Sequence, residues 1–95
     1  MLMTQKAVLN RQQPSNDTGK HTYIKEYITC RVELRQAIFK TPEGKDVISL
    51  GIVYMTDEPT INDKVTWKDK TYTIKHVYDV IDIYGVIDHY KCWLI

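Results

Sequence analysis

The sequence predicts an all-β fold, mainly antiparallel: a small six-stranded barrel or sandwich, with space for one short helix. Three observations carry this. Apolar side chains recur at every second position in several runs, turn-forming residues separate those runs at regular intervals, and apolar residues at helical spacing are scarce.

Taken in order, a short strand over residues 6–10 precedes a polar loop, residues 11–20, rich in Asn, Asp, Pro and Gly. In residues 24–35 the even positions are Ile24, Glu26, Ile28, Cys30, Val32 and Leu34, and the odd positions are mostly polar. Strand side chains point alternately to the two faces, so one face of this run is apolar apart from Glu26. Residues 47–54 repeat the pattern, with Ile48, Leu50, Ile52 and Tyr54 on one side. Thr41-Pro42-Glu43-Gly44 lies between the two runs and predicts a long hairpin joining them. Thr56 or Asp57 as a cap and Pro59 in a first turn suit a short helix over residues 56–63. Residues 65–68 and 71–74 then flank Asp69-Lys70 as a tight hairpin, and the strand over residues 72–78 returns through residues 82–85. The last run, residues 86–94, places Val86, Tyr90, Cys92 and Leu94 on one face, with Asp88 the exception. Closing such strands into a barrel removes the open edges that promote aggregation.

The chain fits one domain spanning residues 1–95, a size at which folding buries roughly 60–65% of the unfolded surface. A hydrophobic share of 43% is enough to predict a folded rather than a disordered chain. Net charge is only +1, which argues against a dedicated nucleic-acid binder and permits copies to approach one another. No run approaches the roughly 18 apolar residues of a membrane span, and Met1–Lys6 lacks a basic-then-apolar secretory pattern. Cys30 and Cys92 are read as two buried thiols in a reducing cytoplasm, with a single bridge as the alternative.

No catalytic residue, cofactor or metal is expected. Ser15 and Ser49 lack a nucleophile's local frame, and Gly19, Gly44, Gly51 and Gly85 are isolated rather than gathered into a phosphate loop. Paired carboxylates such as Asp57–Glu58 and Asp79–Asp82 read as solvated loop residues. His76 and His89 lie on strands expected to pair, where cross-strand packing is the ordinary role, and His21 sits in a loop. Lys64, Trp67, Lys68, Lys70, Tyr72, Lys75, Tyr78 and Lys91 interleave base and ring as single-strand binders do. Asp63, Asp69, Asp79, Asp82 and Asp88 intersperse the same region, however, and are expected to cancel its field.

The most suggestive feature is apolar. Val80, Ile81, Ile83 and Tyr84 crowd a hairpin tip where turn residues normally prevail, and Trp93 and Ile95 lie opposite Cys92 and Leu94. Such residues either form an interaction surface or seal the barrel.

Residues 61–65, 70–77 and 85–94, reading INDKV, KTYTIKHV and GVIDHYKCWL, resemble small bacteriophage minor capsid and head–tail connector (head-closure) proteins. Residues 51–54 and the loop after them are similar to that family's middle segment, while Asp69 departs from its usual Gly. The resemblance covers about two-thirds of the chain and is weakest over residues 1–22. It implies a virion structural protein, made in the host bacterial cytoplasm or from an integrated prophage. Copies would form a homo-oligomeric ring beneath the portal, complete the head and dock the tail, with portal or adaptor and tail proteins as partners. DNA would pass through the ring. Asn16, Asp17 and Lys20 in one loop, and Asp57 and Glu58 in another, would then face the channel or the neighbouring subunit. The alternatives are a small β-barrel adaptor for one partner protein and, third, a single-stranded nucleic-acid-binding barrel.

Overall fold

The computed structural model describes residues 3–13 and 22–95, and among them all regular structure is strand. Eight strands form: β1 (Gln5–Gln12), β2 (Tyr23–Glu33), β3 (Ala37–Lys40), β4 (Asp46–Ser49), β5 (Gly51–Met55), β6 (Lys64–Trp67), β7 (Lys70–Ile81) and β8 (Ile87–Leu94). Six of them close an antiparallel barrel in the order β1-β2-β5-β8-β7-β6, and β3 and β4 form a separate two-stranded arm.

Alternation places the core as expected in the middle of β2 and in β8, whereas Ile24 and Leu34, at the two ends of the predicted β2 face, are exposed. Ile28, Cys30 and Val32 of β2, Ala7 and Leu9 of β1, and Tyr90, Cys92 and Leu94 of β8 all enter one buried cluster with Val53, Met55, Val65 and Ile74. At the tip, Val86 departs from its assigned face and is 60% exposed, because it belongs to the turn before β8.

Four expectations are corrected. The long hairpin is split: β2 pairs with β5 from Cys30–Met55 to Glu33–Ile52, whereas β3 pairs with β4 beyond it. The turn between β3 and β4 does form at the expected place, with Gly44 at φ 82° and its N–H donating to the Thr41 carbonyl. Ser49 and Gly51 explain the split. The buried Ser49 hydroxyl lies 2.7 Å from the carbonyls of both Gly51 and Leu94, which turns the chain out of the arm and into the barrel. The face of β5 also differs. Val53 and Met55 fill the interior while Ile52 and Tyr54 are buried on the outside, and Ile48 and Leu50 are exposed. A strand covered on both faces carries no signal in its alternation.

The helix at residues 56–63 does not form. Asp63 is 1% exposed, and its carboxylate accepts from the Thr60 N–H at 2.9 Å and the Gln12 N–H at 2.8 Å. With Asn62 at φ 79°, these bonds fold the segment as a loop tied to β1 instead of a helical turn. The β6–β7 turn falls one residue earlier than expected. Trp67 faces Lys70, and the central residues Lys68 and Asp69 both take positive φ, 49° and 64°. Both central residues at positive φ is the primed geometry that matches the natural twist of a hairpin.

Candidate functional site

Antiparallel register sends the two hairpins to opposite ends of the barrel. Gly51 of β5 lies beside Leu94, at the end where β2 passes into the β3–β4 arm. Met55 lies beside Tyr90, and past that point β7 and β8 continue alone through Val80–His89 and Ile81–Ile87. A Cα radius of gyration of 13.8 Å, against about 12 Å for a compact chain of this length, reflects these projections.

The β7–β8 tip is apolar at its outermost point. Ile83 is 91% exposed and Tyr84 84%, with Ile81, Val86 and Ile87 exposed behind them. Its shape is held by one side chain: the Asp82 carboxylate accepts from the Tyr84 N–H at 2.8 Å and the Val86 N–H at 3.1 Å. Gly85 takes φ 80° with open space around it, completing the turn. Apolar groups are thus displayed on a hydrogen-bonded turn.

Of the residues singled out for an interface, Ile81, Ile83 and Tyr84 share this tip, with the half-buried Val80 at its base. Trp93 and Ile95 do not join them. Trp93 lies in the barrel wall opposite Ile52 and His76, and the Ile95 N–H is bonded to the Thr73 carbonyl at the other end of β8. Sequence reasoning missed Val86 and Ile87, which follow the turn glycine and complete the patch, and Ile38 and Ile48 on the arm, 68% and 63% exposed. An isoleucine beside a Pro-Glu-Gly turn was the available signal for the arm.

Asp57 and Glu58 are exposed on the loop between β5 and β6, where the Glu58 carbonyl accepts from Arg11 at 2.6 Å. Arg11 also meets the Glu26 carboxylate at 2.8 Å, a bond that raises the guanidinium's pKa. Asn16, Asp17 and Lys20, like His21, lie outside the described residues.

The histidines do not converge. His76 faces Trp93 and meets the Tyr78 ring at 4.3 Å between centroids, whereas His89 faces Val80 and lies 2.7 Å from Asp88. Among the described residues no three His, Cys, Asp or Glu side chains gather as a metal site. Cys30 and Cys92 are free and buried, and desolvation pushes their pKa up to about 11 and about 12. Thiols held protonated in this way are poor nucleophiles at neutral pH.

The chain matches no protein-family model and no curated protein sequence, so the fold and these surfaces carry the functional argument.

Proposed function

We propose that this protein is a non-enzymatic β-barrel module that a partner protein grips by the β7–β8 hairpin. The observation that carries this is the exposure of Ile83 and Tyr84 on a turn whose backbone Asp82 holds in place. Burying these side chains and their neighbours in a partner's cleft would remove a contiguous apolar patch from water, which is the ordinary driving force of association. The packed barrel interior leaves the outer surface for this work.

A narrower reading rests on the resemblance of residues 61–65, 70–77 and 85–94 to head–tail connector proteins. On that reading the partners are portal or adaptor and tail proteins, the module is one copy of a ring in a virion, and the hairpin is a docking element.

The test is a photo-crosslinking residue placed at position 83 in the producing cell, with a second at the exposed position 43 on the arm as a control. A discrete adduct from position 83, lost when Tyr84→Asp is added, is expected. Equal adducts from both positions would refute the hairpin as the grip. Portal, adaptor or tail protein in the adduct would favour the connector reading, and any other single protein the adaptor reading.

A further inference from the structure

We propose that the outer wall formed by β2, β1 and β6 is a binding face for single-stranded nucleic acid, independent of the hairpin tip. The wall carries two adjoining grooves. One, of about 310 Å³, is lined by Lys6, Tyr27, Thr66, Lys68 and Asp69, among others. The other, of about 300 Å³, is lined by Asn10, Tyr23, Lys25, Lys64, Thr66 and Thr71. Thr66 is common to both, so the grooves adjoin at β6.

Register explains how residues far apart in sequence meet here. Val8 of β1 lies between Tyr27 of β2 and Thr66 of β6, and Asn10 lies between Lys25 and Lys64. Alternation then puts Lys6, Val8 and Asn10 on the same outward side as Tyr23, Lys25 and Tyr27. The polar floor is fixed: the Asn10 amide donates to the Thr66 hydroxyl at 3.1 Å and to the Lys64 carbonyl at 3.3 Å, and Thr66 and Thr71 hydroxyls are 3.0 Å apart.

Charge is the decisive observation. Counted along the sequence, aspartates offset the lysines, but the fold separates them. Asp63 is buried and bonded to backbone, and Asp79, Asp82 and Asp88 sit on the β7–β8 hairpin, outside this wall. Glu26 faces the opposite side of β2, where it is taken up by Arg11. Among the described residues that line the two grooves, Lys6, Lys25, Lys64 and Lys68 are opposed by Asp69 alone. A near-neutral chain thus holds a basic wall, which supplies the phosphate term that nucleic-acid binding requires.

Aromatic rings give the wall its second property. Tyr27 is 91% exposed in the middle of a strand, and Tyr23, four residues away and so about 13 Å along β2, is 37% exposed. The Lys64 ammonium lies 5.2 Å from the Tyr23 ring centroid, so base and phosphate partners are adjacent. Rings that stand out among lysines fit unpaired bases, which can stack on them, better than a duplex, whose bases are already stacked. An acidic peptide would use the lysines and leave the rings without a role.

Fluorescence anisotropy of a labelled oligothymidine against the full chain, at several salt concentrations, tests the assignment. Binding should weaken steeply with salt. Tyr27→Ala should weaken it about tenfold with the salt slope unchanged, while Tyr27→Phe should bind as the parent does. Lys64→Gln should weaken binding and lower the slope by about 0.7. Ile83→Asp should bind the oligonucleotide normally, which separates this face from the hairpin grip. Circular dichroism checks that each variant remains folded. Absence of salt-dependent binding would overturn the proposal, as would Tyr27→Ala and Lys64→Gln both binding like the parent. So would a duplex binding more tightly than the single strand, or polyglutamate competing as well as the oligonucleotide.

Discussion

The Asp63 carboxylate joins the β5–β6 loop to the first strand of the barrel, accepting the Gln12 N–H at 2.8 Å with one oxygen and the Thr60 N–H at 2.9 Å with the other. At 1% exposure it has almost no access to water, and both donors depend on it. Asp63→Ala should therefore cost about 3 kcal/mol, because two backbone N–H groups lose a charged acceptor at a part-buried site. Asp63→Asn keeps one acceptor oxygen and should lose about half as much. Urea denaturation of the two variants against the parent measures this directly.

Gly51 marks the entry to β5, where a Cβ would stand 2.7 Å from the Glu33 carbonyl oxygen and 3.2 Å from the Leu34 Cα. Both obstacles are backbone, so neither can swing away. Gly51→Ala should destabilise by about 2 kcal/mol, the ordinary range for overpacking. In a thermal melt that is a fall of roughly 10 °C for a domain of this size.

Asp69 and Lys68 hold left-handed backbone angles in the β6–β7 turn, φ 64° and 49°. Glycine meets no steric penalty there, so Asp69→Gly should stabilise the protein by about 1 kcal/mol. The same substitution in a strand would do the reverse. A higher midpoint in urea with an unchanged slope is the expected reading.

Cys30 and Cys92 titrate at about 11 and about 12 in the folded protein, against 9.0 for the free thiol, because burial penalises the thiolate. Above about pH 9 the unfolded chain loses these protons while the folded one keeps them. Stability should therefore fall as pH rises from 9 towards 11 and 12, by up to about 1.4 kcal/mol per pH unit for each thiol. Cys92→Ala should flatten that decline relative to the parent, whatever it costs at neutral pH. Melting temperatures recorded across the alkaline range test it.

Ile83→Asp should change stability by less than about 0.5 kcal/mol, since the side chain is 91% exposed and packs on nothing that folding buries. Its effect should be confined to association with the partner. A large loss of stability in urea would instead give Ile83 a part in the folded core.

Much of the barrel was legible in the sequence wherever one face of a strand meets water. Ile28, Cys30 and Val32 alternate with Thr29, Arg31 and Glu33, and Cys92 and Leu94 alternate with Trp93, because the interior takes one side only. In β5 the signal vanished, since Ile52 and Val53 are both fully buried and either side could have been the inner one. The split at Ser49 was equally hidden: it depends on a carbonyl of Leu94, 45 residues away. Of the candidate surfaces, the tip was readable because Ile83 and Tyr84 break the rule that turns are polar. The lysine wall was not. Its members come from β2, β1, β6 and the turn after β6, and Asp63, Asp79, Asp82 and Asp88, which neutralise them on paper, are carried elsewhere by the fold.

β8 is the last of the eight strands along the chain, yet it stands between β5 and β7 in the closed wall. During synthesis the earlier strands must wait with two raw margins until residues 87–94 emerge. Closing the wall pairs β8 with β5 far back along the chain as well as with its neighbour β7, and non-local pairing of this kind slows folding. Until that moment the waiting strands offer themselves to any passing β-edge, and a cell overproducing this protein should accumulate aggregates at high translation rates.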